Sequence, residues 1–426
     1  MPRLLPVVTA LLSLALTSQS SQASNTFTKD IEDALNFYHY GKEGAIKFDL
    51  TYRYENVNQD NAVNAAGAIL PQAKQPQTAN ANTARLRLGF LTPEWNKLQA
   101  YAEYEGNLAM QDDYNNTLIN GDPTYSKVAD PDKSELNQLW LSYKGIPDTI
   151  IKGGRQRIKL DDDRFIGNVG WRQMEMTYDS VLMTHNNQTL FGLTVNAGFI
   201  GNVQTITSTQ ERIEAPILNL NYKVGDWGNL VAYGYWLDYT ERENYEKSSQ
   251  TFGGRFTGES PVFAEHYSLL YTAEFSNQQN YGHGITHYNT DRINVMGGVK
   301  AFNISLQGAM EQLDGHGLNQ TFDTPLGTNH AFQGWADLFL QTPKDGIRDV
   351  FATLTASCDN GSLVFTGMYH DFADDSGKKQ YGEEWDFSVL KKFGKHYSIL
   401  AKYAYYQAEG FNTDTQKIWV QGNINF

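Results

Sequence analysis

The sequence predicts an all-β chain folded as a transmembrane antiparallel β-barrel of about 18 strands, with 16 as the smaller alternative. Three observations carry this expectation. Apolar and polar residues alternate over stretches of about ten residues through most of the chain. Aromatic residues crowd the ends of those stretches, and long polar connections alternate with short turns. A soluble sandwich also alternates, so the period leaves the architecture open and the other two features decide it.

The chain begins Met1-Pro2-Arg3, continues with an apolar run from Leu4 to Leu16, and ends this segment in small and polar residues up to Ala23. A basic start, a short apolar core and small residues before a cut define a secretory signal peptide, assigned to residues 1–23. Its removal takes away Arg3 and makes the chain one unit more negative than the full-length charge of -14. A chain this acidic is a poor partner for a nucleic-acid backbone. Residues 24–43 form a short periplasmic lead-in, in which Ile31, Leu35 and Tyr38 fall at helical spacing. Asp30 to Tyr40 is therefore either a brief helix or a polar tail. From 44 to 426 no linker, composition break or repeat divides the chain, which reads as one barrel.

In the first strand Ile46, Phe48, Leu50, Tyr52 and Tyr54 share one face, and Lys47, Asp49, Thr51, Arg53 and Glu55 the other. Leu86, Leu88 and Phe90 likewise oppose Arg85, Arg87 and Gly89. Leu218, Leu220 and Tyr222 oppose Asn219, Asn221 and Lys223. Val231, Tyr233, Tyr235, Leu237 and Tyr239 form an apolar face against Gly234 and Asp238. That parity puts Trp236 on the polar face, as it does Trp140. There the two rings are candidates to stack on sugars, packing being the more ordinary role. Tyr233-Gly234-Tyr235-Trp236 and Tyr403-Ala404-Tyr405-Tyr406 read as interfacial girdle segments. Long connections such as Asn56 to Asn82, Gln111 to Glu135 and Asn277 to Thr290 alternate with turns such as Asn360-Gly361 and Gly394-Lys395. Eighteen strands imply eight short periplasmic turns and nine longer outer loops, with outer-membrane lipid and lipopolysaccharide around the wall. The last strand places Ile418, Val420, Gly422, Ile424 and Phe426 on one face. That ending resembles the assembly signal of bacterial outer-membrane barrels and makes the barrel-assembly machinery an expected partner.

Charge concentrates in one stretch. Arg155, Arg157, Arg164 and Arg172 lie with Asp161, Asp162 and Asp163 between Gly153, Gly154, Gly167 and Gly170. Facing a lumen, the guanidinium groups would offer planar paired donors to passing carboxylates. The plainer alternative is an arginine–aspartate network that stiffens the wall. Other features point to no cofactor and no metal. Lone Cys358 is strand filler, and His283 and His287 sit in a glycine-containing loop rather than on a helix. The acids Asp112, Asp113, Asp122, Asp130 and Asp132 could chelate calcium through clustered oxygens, but read more simply as solvated outer-loop residues. The chain has no Gly-x-Ser-x-Gly elbow and no His-Glu-x-x-His. His370-Asp371 cannot form a dyad, because neighbours on a strand point to opposite faces. The chain is expected not to be an enzyme.

Several motifs in order resemble the alginate-export family of outer-membrane proteins. They are Arg53-Tyr54-Glu55-Asn56-Val57, Ala84-Arg85-Leu86-Arg87-Leu88-Gly89, Val128-Ala129-Asp130-Pro131, Glu135-Leu136-Asn137-Gln138, Gly154-Arg155-Gln156-Arg157-Ile158, Asp163-Arg164-Phe165-Ile166-Gly167, Gly170-Trp171-Arg172-Gln173 and Phe332-Gln333-Gly334-Trp335-Ala336-Asp337. The resemblance implies an eighteen-stranded, monomeric barrel in the outer membrane of a Gram-negative bacterium. It also implies diffusion of a polyanionic uronate oligo- or polysaccharide through an arginine-rich lumen. By motif match Arg85, Arg87, Arg155, Arg157, Arg164 and Arg172 are the pore-lining candidates, with Asp161, Asp162 and Asp163 as their companions and Lys47, Lys152 and Lys223 adding to the field. Against this stand the acidic overall charge and two alternatives: a general or cation-leaning porin, and a non-conducting surface barrel used for adhesion.

Overall fold

The computed structural model describes residues 39–40, 43–60, 71, 75–116, 122–187 and 192–426. The signal-peptide segment 1–23 lies outside the described residues. Among the described residues a two-residue strand, β1 (His39–Tyr40), precedes eighteen longer ones. These are β2 (Gly44–Asp60), β3 (Ala79–Leu91), β4 (Leu98–Asp113), β5 (Lys133–Ile146), β6 (Thr149–Gln156), β7 (Thr177–Asn187), β8 (Leu193–Gln204), β9 (Gln210–Lys223) and β10 (Asn229–Tyr239). They continue with β11 (Ser249–Glu259), β12 (Tyr267–Asn280), β13 (Asn289–Ala301), β14 (Ile304–Leu313), β15 (Ile347–Cys358), β16 (Leu363–Ala373), β17 (Gln380–Phe393), β18 (Tyr397–Ala408) and β19 (Asp414–Asn425).

Each of these strands pairs antiparallel with the next, and β19 pairs back to β2 from Asp414 opposite Asp60 to Asn425 opposite Asp49. The sheet is therefore a closed eighteen-stranded barrel with no free edge, the arrangement that satisfies every strand amide inside a bilayer. Phe426 completes the seam: its backbone exchanges hydrogen bonds of 3.0 and 2.8 Å with Phe48. The helical alternative for residues 30–40 fails at its end, where His39 and Tyr40 are extended and pair with Ala45 and Gly44. Residues 30–38 lie outside the described set.

The two ends of the barrel differ. On the side of the termini the connections are tight, such as 147–148, 302–303 and 394–396. On the opposite side lie 114–132, 157–176 and 314–346. Short turns mark the periplasmic end and long loops the outer end.

Burial runs opposite to that of a soluble protein. Leu88, Phe90, Leu139, Leu141, Leu306 and Val350 are exposed on the outer face, while Thr51, Arg53, Glu55, Glu105, Arg292 and Asp349 are buried inside. Alternation read from sequence gives the correct facing for β2, β3, β9 and β19. It fails in β10. Val231, Tyr233, Tyr235, Leu237 and Tyr239 face inwards, buried in an apolar cluster with Ile158, Leu160, Ile166 and Leu326 from two loops that enter the barrel. Their apolar character matches a packed interior rather than lipid. Trp236 is consequently on the outer face against Phe252, with ring centroids 5.3 Å apart, and is no sugar platform inside the lumen. The girdle expectation for Tyr233 and Tyr235 fails for the same reason.

Candidate functional site

The lumen is built from two loops folded into it. Strand β6 ends at Gln156, and the chain then turns inwards as residues 157–176 before rejoining the wall at β7. Gly154 makes the departure possible. Its φ of +118° belongs to glycine, and a Cβ there would lie 2.3 Å from the Leu139 carbonyl oxygen. The second loop, residues 314–346, enters from the opposite wall between β14 and β15. The loops touch backbone to backbone: Gly167 N donates to Leu326 O at 2.9 Å and Thr328 N to Asp163 O at 2.8 Å. A side chain at Gly167 would strike Thr328 Oγ1 at 2.3 Å, so glycine permits this approach.

Apolar burial holds the loops in place. The first packs on β9 and β10 as described, and the second places Phe322, Ala336 and Phe339 against Phe372, Tyr381, Tyr406 and Trp419 of the wall. Burying such side chains stabilises by about 1.5–3 kcal/mol each. The polar counterpart is a web of ion pairs. Arg87 bonds Glu105, and Arg157 bonds Glu175. Glu175 also accepts from Asn137 and Asn168, both at 2.6 Å. Burial by itself would raise the Glu175 carboxyl, but Arg87 and Arg157 outweigh it and hold the group below the usual carboxylate range. Arg172 reaches Glu55 and Asp337, each at 3.0 Å, and Asp130 at 3.6 Å. Arg164 pairs at 3.0 Å with Glu311, which is also 2.6 Å from Arg292.

A lysine and three indoles join both loops to the wall. Lys402 on β18 places its ammonium 4.1 Å from the ring centre of Trp171 in the first loop and 3.6 Å from that of Trp335 in the second. Trp419 on β19 stands 5.5 Å away. His330 stacks on Trp171 at 4.4 Å with an interplanar angle of 1°. Burial, helped by neighbouring Lys402, drives the His330 imidazole down to about 3. The neutral ring is assigned the tautomer in which Nε2 accepts from Lys402 at 2.8 Å and Nδ1–H donates to Asp337 at 2.6 Å.

The structure separates the residues singled out from sequence. Arg85 and Arg87 face inwards but are consumed by Asp49 and Glu105, with side chains only 7% and 10% exposed. Arg164 and Arg172 lie in the first loop, 2% and 8% exposed. Arg157, at 34%, is the arginine of this set most open to water. Arg155 does not face the lumen. It shares the parity of Ile151 and Gly153, opposite the outward Leu139, Leu141 and Tyr143, and forms a two-point pair with Asp179 at 2.8 and 2.9 Å. Asp161, Asp162 and Asp163 do not neutralise the adjacent arginines. Asp161 accepts from Asn219 at 2.7 Å, Asp162 pairs with Arg255 at 2.6 Å and Asp163 with Lys159 at 2.8 Å.

Sequence reasoning missed Arg53, Lys402, His330 and the wall carboxylates, whose partners are far away along the chain. Asp130 was misread as a solvated outer-loop acid. It is fully buried, accepting from Gln173 N at 2.9 Å and lying 3.6 Å from Arg53. Its place in Val128-Ala129-Asp130-Pro131, one of the motifs that carry the family resemblance, was the available signal. Among the described residues no group of three or more potential ligands is arranged to hold a metal.

Among the described residues a cavity lies on each side of the loops, and these two share no lining residue. The outer cavity, about 700 Å³, is lined by Lys127, Arg172, Lys247 and Lys417 against the acids Glu211 and Asp337. The periplasmic one, about 620 Å³, has Lys152, Arg157, Lys159 and Lys223 against Asp161. Trp140 faces inwards, as its parity predicts, with the Lys152 ammonium 4.4 Å from its ring centre.

A family model described as alginate export matches residues 47–288. No curated protein matches the chain. Among solved structures, OpdL of Pseudomonas aeruginosa is similar with a TM-score of 0.66 at 14% identity, covering 90% of this chain and 99% of that one. OpdK of Pseudomonas aeruginosa, solved with vanillate, gives 0.67 at 11%, covering 89% and 98%. OccAB3 of Acinetobacter baumannii gives 0.68 at 13%, covering 90% and 100%. At such identities these likenesses speak for the shape of the barrel.

Proposed function

Since this chain belongs to the alginate-export family and is a porin-like barrel of the Gram-negative outer membrane, we propose that it passes carboxylated saccharides, uronate oligomers foremost, by passive and selective diffusion. Its family and fold neighbours are channels rather than enzymes. One observation carries the substrate reading: in both cavities the cationic side chains outnumber the acidic ones, although the whole chain is at -14. Fixed charge inside a narrow lumen acts on a permeating ion more strongly than charge spread over outer loops. OpdK shows that a barrel of this shape accommodates vanillate, a small carboxylate. The same reading includes removal of residues 1–23, a periplasmic segment 24–43, recognition of the strand ending in Phe426 by the assembly machinery, and a monomer seated among lipid and lipopolysaccharide.

The test is the reversal potential of the mature chain in a planar bilayer under a KCl gradient, with and without uronate oligomers. Chloride preference with block by the oligomers is expected. Potassium preference without block would overturn the carboxylate reading in favour of a cation-leaning porin, and absence of conductance would favour the adhesion barrel.

A further inference from the structure

The periplasmic cavity contains a feature that anion conduction does not require. On the lumen face of β7, β8 and β9, Thr184 stands opposite Asn196, which stands opposite Asn219. One rung nearer the periplasm, Asn186 stands opposite Thr194, and Thr194 opposite Asn221. All six line the cavity. Strands lie about 4.8 Å apart and same-face neighbours along a strand about 6.7 Å apart, so these six form a grid of roughly 10 by 7 Å. Every position presents a short neutral hydroxyl or amide, groups able both to donate and to accept. Two side-chain hydrogen bonds steady the grid: Thr184 Oγ1 donates to Asn196 at 2.8 Å, and Asn219 donates to Asp161 at 2.7 Å.

The surroundings of the grid are cationic and apolar. Arg157 and Lys159 form the roof, on the first part of the inserted loop, and Lys152 and Lys223 stand at the two sides on β6 and β9. Beside the roof cations the partly exposed Leu182 supplies a small apolar patch, while Ile158 and Leu160 are buried in the adjoining apolar cluster. A simple inorganic anion needs only the cations. A polyhydroxylated ring carrying a carboxylate uses all three: hydroxyls on the grid, carboxylate on the roof, and its C–H face on the apolar patch.

Building on the carboxylate-channel reading above, we infer that this grid is a saccharide-binding subsite, at which one or two uronate units pause at the periplasmic end of the lumen. The subsite makes the channel discriminate a sugar acid from a plain carboxylate of equal charge. Binding from the terminal side of the barrel precedes passage between the loops.

The experiment is single-channel recording of the full mature chain with a uronic-acid disaccharide, a plain dicarboxylate of equal charge, or a neutral disaccharide added to either side. Expected is block by the uronate disaccharide alone, with longer events from the periplasmic side. In the double variant Thr194→Val, Asn221→Leu the block should shorten by about tenfold, as loss of two hydrogen bonds to neutral partners implies, with the KCl reversal potential unchanged. Equal block by the plain dicarboxylate, or an unaltered block time in a variant that conducts normally, would overturn the subsite while leaving the anion channel intact. Should the double variant not assemble, Asn221→Ser alone carries the same comparison. Loss of chloride preference in the unmodified chain would instead defeat the channel reading beneath it.

Discussion

The ammonium of Lys402 lies 3.6 Å from the centre of the Trp335 ring, so a wall strand grips the tip of a loop 67 positions earlier in the chain. Trp171, from the other loop, is held between the same ammonium at 4.1 Å and the Arg53 guanidinium at 4.2 Å. A cation enclosed by aromatic faces away from water is worth about 2 kcal/mol per contact. Both loops are therefore tied to the barrel wall through this one lysine, in addition to their apolar packing and ion pairs.

Replacing Lys402 by Met, which keeps volume and removes charge, should free the loop tips. The expected result is a conductance at least about twofold higher, with more frequent fluctuation, as a loss of about 2 kcal/mol favours alternative loop positions. Single-channel recording measures it. An unchanged trace would mean that the apolar packing of Phe322 and Phe339 holds the loops without the lysine.

Arg155 and Arg157 are two residues apart in sequence and have different roles in the structure. Arg157→Ser should lower the chloride-to-potassium permeability ratio by up to about sevenfold, since one charge at roughly 7 Å in water shifts each ion by about 0.6 kcal/mol in opposite directions. Arg155→Ser should leave the ratio unchanged, because its guanidinium is paired with Asp179 on the outward side. Reversal potentials of the two variants decide it, and equal effects would contradict the facing of β6.

Acidification should strengthen anion preference. Burial, with Asp162 adding to it, pushes the Asp161 carboxyl up to about 6, against the opposing effect of Asn219 and Arg255. Between pH 7 and pH 5 this group gains a proton and the periplasmic cavity loses its negative charge, so chloride permeability should rise relative to potassium as pH falls. Asp161→Asn should show the raised preference already at pH 7 and a flattened pH response. A wild-type preference that falls on acidification would refute this assignment.

Gly154→Ala should weaken the barrel by about 1–3 kcal/mol, since it forces a non-glycine residue into a disfavoured backbone region against the Leu139 carbonyl. Urea unfolding of the refolded barrel in lipid vesicles reads the change. A midpoint equal to that of the parent chain would show that β6 can leave the wall by another backbone path.

Much of the barrel was legible because lipid on one side and a polar interior on the other imprint a two-residue period. Ile46 to Glu55 and Ile418 to Phe426 show it plainly, and their facing is as the period requires. The period misleads where the interior is dry. Tyr233 and Leu237 are apolar because two loops pack on them, and no local pattern distinguishes a lipid contact from such a contact. Trp140, packed beside the cavity-lining Lys152, keeps the expected facing, whereas Trp236 does not.

By itself the sequence determined the closed antiparallel barrel, its ends and the presence of an arginine-rich stretch, because these follow from short-range alternation, turn chemistry and composition. Only the tertiary structure decided which charges meet the lumen. Arg172 finds Glu55, Asp130 and Asp337, and Arg164 finds Glu311, rather than the adjacent Asp161 to Asp163. A buried charge takes the partner that geometry brings within about 3 Å after burial, and sequence distance has no bearing on that choice.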